Sequence, residues 1–216
     1  MTNKQTGILV LAGSLVLALM LWLTQEQAGI SHTGTANDFS PATLIPAPKI
    51  IQPFSLTDHH GQPFTLDNFK GKWTFLFFGF THCPDVCPTT LQTFKFIHTQ
   101  LKQSDIAEEP VQFVFITVDP ERDTVKQLAE FIPGFNPEFT GVTGDMDTIG
   151  KLAAQLGIAH KKSNQGSQGS DYQIEHSSAV LLMDPQARWH ALFSAPLDPA
   201  AMVEAYRRIV RHNAGG

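Results

Sequence analysis

Apolar positions in this chain gather into a few dense runs separated by turn-forming residues. Residues 73–80 read WTFLFFGF and residues 111–118 read VQFVFITV. Near-continuous apolar runs of that length, rich in aromatic and β-branched residues, predict strands buried on both faces. Between them, after Pro88, the residues Leu91, Phe94, Ile97, His98 and Leu101 recur at helical spacing and predict a helix with one apolar stripe. Residues 54–58 and 63–66, flanking His59-His60-Gly61, predict a hairpin. Farther along, residues 125–132 predict a short helix, 139–143 a strand, 147–156 another helix, and 179–183 with 191–193 a final hairpin. The last helix is the most clearly marked. Asp198 can cap it and Pro199 suits its first turn, while Arg207, Arg208, Arg211 and His212 gather at its negative end.

Strand, helix, strand and helix, closed by a hairpin and a covering helix, give an α/β domain with a central sheet flanked by helices. In such layers the chemistry belongs where a central strand ends and a helix begins.

Ahead of the domain the pattern changes. Residues 7–23 read GILVLAGSLVLALMLWL, with no charge between Lys4 and Glu26. As a helix, residues 5–25 would be about 31 Å long, the thickness of one hydrocarbon core. No small-residue cleavage pattern follows Leu23, and no Cys stands there for lipid attachment. The expectation is therefore an uncleaved transmembrane anchor over residues 1–24, with Lys4 holding the amino terminus in the cytoplasm. Residues 25–48, rich in Thr, Ala, Ser and Pro and without period, predict a flexible tether. Residues 49–216 then form one domain without internal repeats.

Charge and cysteine content narrow the function. The 216 residues carry a formal net charge of −5, which argues against phosphate-backbone binding and so against a nucleic-acid partner. Two cysteines cannot build a multi-bridge disulfide framework or a four-thiolate zinc site. Both lie in the loop after the first buried strand, GFTHCPDVCPT. Cys83 and Cys87 each precede a proline, which disfavours helical geometry at both. Pro88 would open the following helix, so the pair is expected on a stiff loop at a helix amino terminus, where thiolate is favoured.

A plain staple is a poor reading of this pair, because it would close almost no loop. Redox pairs usually have two intervening residues, and this one has three. Zinc would lack ligands, whereas thiolates suit Cu(I) and imidazole helps hold Cu(II). A third ligand would be histidine, of which the chain has nine. His32, His59, His60, His160 and His212 read as surface or capping residues, and His98 as packed on its helix. His190 lies in the final hairpin, and His82, as a chain neighbour of Cys83, points away from it. His176, just before the strand AVLLMD, is the favoured ligand. Asp119 and Asp123 follow a buried strand and are expected to cap the next helix. Asp85 reads equally as a loop carboxylate and as a charge favouring a bound cation. Residues 163–170, SNQGSQGS, read as a flexible loop, with His176 on a mobile segment.

Three segments together, FGFTHCPDVCPTTL, FITVDPERDT and YQIEHSSAVLLMDP, resemble the signature segments of the Sco/SenC family. The resemblance spans residues 49–216. It implies a thioredoxin-like fold and membrane anchoring, with copper, Cu(I) or Cu(II), held by Cys83, Cys87 and His176. Glu175 stands where many members have Asp. The activity implied is delivery of copper to the CuA-bearing subunit of cytochrome c oxidase, with other copper chaperones or thiol reductants as further partners. The alternative is a thiol–disulfide reductase in which Cys83 and Cys87 are the redox pair and Cys83 attacks. The absence of a proline beside His176 separates the chain from thioredoxin-like reductases, which use one there to hold extended substrates. A short amino terminus without an Arg- and Ser-rich transit segment points to a bacterial inner membrane, with the domain on the periplasmic side.

Overall fold

The computed structural model describes residues 39–163 and 172–214. The expected anchor, most of the tether and residues 164–170 of the expected loop lie outside the described residues. Among the described residues no helix is long and apolar enough to cross a membrane.

Eight strands form one sheet. In chain order they are β1 (Ala42–Ile50), β2 (Ser55–Asp58), β3 (Pro63–Thr65), β4 (Trp73–Gly79), β5 (Val111–Thr117), β6 (Thr140–Thr143), β9 (Val180–Met183) and β10 (Arg188–Phe193). A separate two-stranded ribbon pairs β7 (His160–Ser163) with β8 (Gln173–His176). Among the described residues four α-helices complete the domain: α1 (Val86–Lys102), α2 (Val125–Phe131), α3 (Met146–Gln155) and α4 (Pro199–Ala214). Across the sheet the order is β1-β10-β9-β4-β5-β6-β2-β3. Strands β4, β5 and β6 run parallel and the remaining pairings are antiparallel, so the sheet is mixed.

The two apolar runs are the central strands. Every residue of β4 is buried, as is β5 from Phe113 onward. In their parallel register Phe75 lies beside Phe113 and Phe77 beside Phe115. The Phe75 and Phe113 rings stack at 5.1 Å. Helices α1 and α4 pack against each other, bringing Phe94 and Tyr206 onto Phe75. Each buried aromatic side chain contributes about 2–3 kcal/mol by leaving water, so this aromatic layer makes β4 and β5 a rigid support for the loops at their carboxyl ends.

Three readings are corrected. The strand β1 takes up residues 42–48, which sequence alone leaves in the tether. It pairs with β10 but carries Pro46 and Pro48 within a break in register between Leu44 and Lys49. Prolines are tolerated there because the strand is an edge. Helix α1 begins at Val86, so Cys87 is helical. Pro88 costs nothing at the third position, since the first amides of a helix have no intrahelical acceptor. Finally, α2 is capped by Thr124, whose side chain accepts the Gln127 N–H, and not by Asp119 or Asp123. The cap expected of Asp198 on α4 is present, its carboxylate accepting the N–H groups of Ala200 and Ala201 at 3.0 and 3.1 Å.

Candidate metal centre

Strand β4 ends at Gly79 and α1 starts seven residues later, so the intervening loop sits at the carboxyl edge of the sheet. Its two cysteines are not bonded to each other. Cys83 is partly exposed and Cys87 is buried at the start of α1. The Cys87 N–H donates to the Cys83 sulfur at 3.4 Å, so this sulfur satisfies one of the helix's otherwise unpaired amides. Across from them, β8 delivers His176, whose Nε2 lies 3.5 Å from the Cys87 sulfur. The three donor atoms all fall within 4.8 Å of one another, close enough to hold one metal ion.

The histidine is oriented for that task. Its Nδ1 lies 3.0 Å from the Ser177 carbonyl, a bond only an Nδ1–H can donate, which leaves the Nε2 lone pair facing the sulfurs. Metal-binding histidines are commonly fixed through the second nitrogen in this way. The rings of Phe77 and Phe80 pack on the imidazole at 5.7 and 5.8 Å. Glu175 is exposed and alternates to the other side of β8, so the partner of His176 is the Ser177 carbonyl and not this carboxylate.

Burial sets the protonation of the buried donors. Desolvation lowers the His176 pKa, with the nearby His160 adding to the effect, so the imidazole stays neutral and available as a ligand. Desolvation also pushes the Cys87 thiol well above its ordinary range, against the Phe80 backbone bond that favours thiolate. The expected activation of Cys87 by the helix terminus is thus overridden by burial. A metal ion arriving here must displace a proton that the site otherwise retains.

The DPERDT turn holds both halves of the site. Fully buried Asp123 accepts the Thr81 N–H at 2.9 Å, the Thr81 hydroxyl at 2.6 Å and the Thr117 hydroxyl at 2.6 Å. That carboxylate pins the cysteine loop to the end of β5. Asp119, also buried, accepts the Tyr172 hydroxyl at 2.6 Å and is paired with Arg122. The Arg122 guanidinium lies over the Tyr172 ring at 3.8 Å and the Phe80 ring at 5.8 Å. Through these contacts the segment leading into β8 is fastened to the same turn. Sequence reading assigns Asp119 and Asp123 to helix capping; beside their near neighbours Arg122 and Thr117, they hold Tyr172 and Thr81, which lie 53 and 42 residues away along the chain.

The other candidates disperse. His98 packs on Phe113 and Phe139, as its apolar stripe predicts. His59 is buried, its Nδ1 accepting the Gly141 N–H at 3.1 Å, although a turn histidine reads as exposed. His82 faces Thr81, with its Nδ1 3.1 Å from that hydroxyl. Asp85 is the exposed residue before α1, and its carbonyl accepts the first helical amide, from Thr89. Two residues that shape the site escape sequence reading. Gly79 lies against the Cys87 sulfur, where an added Cβ would stand 2.9 Å from it. His160 lies opposite His176 in the β7–β8 ladder. The centre opens to solvent through a cleft of about 360 Å³ lined by Phe80, Cys83, Pro84, Ile174 and His176.

Comparison with known proteins gives a consistent picture. The family model described as SCO1/SenC matches residues 42–211. An SCO2-like protein of Rickettsia prowazekii is 35% identical over 74% of this chain and 76% of its own length. The mitochondrial SCO2 homolog of Bos taurus is 35% identical over 72% of this chain, which spans 58% of the bovine protein. A copper-bound crystal structure of ScoI from Arabidopsis thaliana superposes with a TM-score of 0.68 at 35% identity, covering 74% of this chain and 98% of that one. The mixed α/β arrangement of β4, β5, β9, β10 and their helices is thus the thioredoxin-like fold of these proteins.

Proposed function

This chain belongs to the SCO1/SenC family, and from that premise we propose that it is a copper chaperone binding one ion through Cys83, Cys87 and His176. One observation carries the reading: two sulfurs and one imidazole nitrogen converge within 4.8 Å, with the imidazole already turned to present its lone pair. Two thiolates and an imidazole suit Cu(I), and the imidazole extends the site to Cu(II). The receiving site in this proposal is the CuA-bearing subunit of cytochrome c oxidase, with other copper chaperones or thiol reductants acting upstream. Residues 1–24 anchor the chain in a bacterial inner membrane, a tether from residue 25 to the start of β1 spans the gap, and the domain works on the periplasmic side.

The donor set gives the chaperone reading its advantage over a thiol–disulfide reductase. A reductase needs an attacking thiolate and a resolving thiol but no imidazole seated on the resolving sulfur. Here His176 Nε2 is 3.5 Å from the Cys87 sulfur and packed by two phenylalanine rings. The same two cysteines have to be reduced before copper is taken up, so the redox chemistry becomes a condition of loading.

The test is titration of the reduced chain with Cu(I) and Cu(II) beside a His176→Ala variant. The expected result is one copper per chain, with Cu(II) binding greatly weakened in the variant. Weak, nonstoichiometric binding indifferent to His176 would overturn the proposal and leave the dithiol reductase in its place.

A further inference from the structure

We propose that His160 is a fourth copper ligand in this chain, joining Cys83, Cys87 and His176 when the bound ion is Cu(II). The inference rests on the copper-site reading above and adds to it a residue that the sequence assigns to the surface.

The backbone pairing carries the argument. In the β7–β8 ladder His160 is the direct partner of His176. The adjacent Ser177 N–H donates to the Ala159 carbonyl at 3.0 Å, which makes 159 and 177 a hydrogen-bonded pair. Antiparallel ladders alternate, so 160 and 176 are a non-hydrogen-bonded pair, the type whose side chains approach most closely. Their Cβ atoms are then about 4.5–5.5 Å apart on one face of the ribbon. That face is the inner one: Tyr172 and Ile174, which alternate with His176 along the segment, are both buried. His160 itself is half-buried, a polar side chain on the side that faces the domain.

Coordination chemistry supplies the reason for a fourth donor. Three ligands satisfy Cu(I), whereas Cu(II) takes four in a tetragonal plane. His160 lies outside the cluster of three donors in the metal-free chain. Rotation of its half-buried ring is the movement required to bring a nitrogen to the ion. Both thiols shed their protons to solvent as they ligate, and His160 binds as the neutral imidazole.

The experiment uses the full-length chain in detergent, with thiols reduced and one equivalent of Cu(II) added. Pulsed electron paramagnetic resonance counts the coordinated imidazoles, and the thiolate-to-copper absorption band reports the sulfurs. His160→Val, chosen because valine suits a strand, is compared with wild type, and circular dichroism checks that the variant is folded. The expected count is two imidazoles in wild type and one in the variant, with the sulfur band retained. Cu(II) affinity in the variant should fall at least about tenfold while Cu(I) affinity changes less than about twofold. One imidazole in both proteins overturns the role of His160 and leaves the three-ligand site standing. A wild-type chain without the sulfur band overturns the copper site and this inference together.

Discussion

Replacing Gly79 by alanine probes how closely the fold and the metal centre share the same atoms. Gly79 has no left-handed backbone angle to explain it. Its constraint is space: a Cβ would meet Phe115 Cε2 at 2.8 Å, the Cys87 sulfur at 2.9 Å and Phe77 Cε1 at 2.9 Å. All three neighbours are essentially fully buried, so none can swing into solvent. Adding a methyl group to such a packed site costs about 1–3 kcal/mol through off-rotamer side chains and backbone shifts. Yielding by the Phe rings costs stability alone. Yielding by Cys87 also moves a donor that lies 3.5 Å from His176. The expected outcome for Gly79→Ala is a loss of about 2 kcal/mol in denaturant unfolding at unchanged m-value, together with weaker Cu(I) binding in competition with a chelator. A variant within about 0.5 kcal/mol of wild type, with unaltered copper affinity, would refute the reasoning, since it would mean that the crowding at Gly79 relaxes without consequence.

Two further substitutions test the supports. Asp123→Ala strands the Thr117 hydroxyl and both Thr81 donors; unfolding should show a loss of about 2–4 kcal/mol, and amide exchange should quicken at Thr81 and along the cysteine loop. At Asp184, burial opposes ionisation, but His190 and Arg188 outweigh it and hold the carboxyl below its ordinary pKa. Its stabilisation is therefore complete above the ordinary aspartate value of about 4 and is lost as pH falls through the lower folded value. Asp184→Asn should lower the melting temperature at neutral pH and flatten the acid limb of the stability profile; parallel curves for the two proteins would contradict this assignment.

Elements that bury both faces or one full stripe were legible from the chain, because their signal is local and repeated. Strands β4 and β5, the stripe of α1 and the cap of α4 are of this kind. Strand β1 was not, since Pro46 and Pro48 on a mostly exposed edge look the same as a tether. The start of α1 was displaced because proline's effect on the preceding residue is weaker than the helix's tolerance for proline in its first turn. At the site, Cys83 and Cys87 announced themselves through spacing, and His176 was favoured among the nine histidines before the resemblance strengthened that choice. Asp123, Asp119 and Tyr172 act through partners 42–53 residues away, and no periodicity reports such pairs. His160 became visible only once the register of β7 against β8 was known.

The bond from the Cys87 amide to the Cys83 sulfur ties a covalent-state change to a backbone signal. When Cys83 takes a metal or enters a disulfide, the acceptor for that amide changes, and with it the electronic environment of the Cys87 N–H. The first turn of α1 thus works as a gauge wired to the sulfur, and in an isotope-labelled chain the Cys87 amide resonance is expected to differ among the empty, Cu(I)-loaded and oxidised populations.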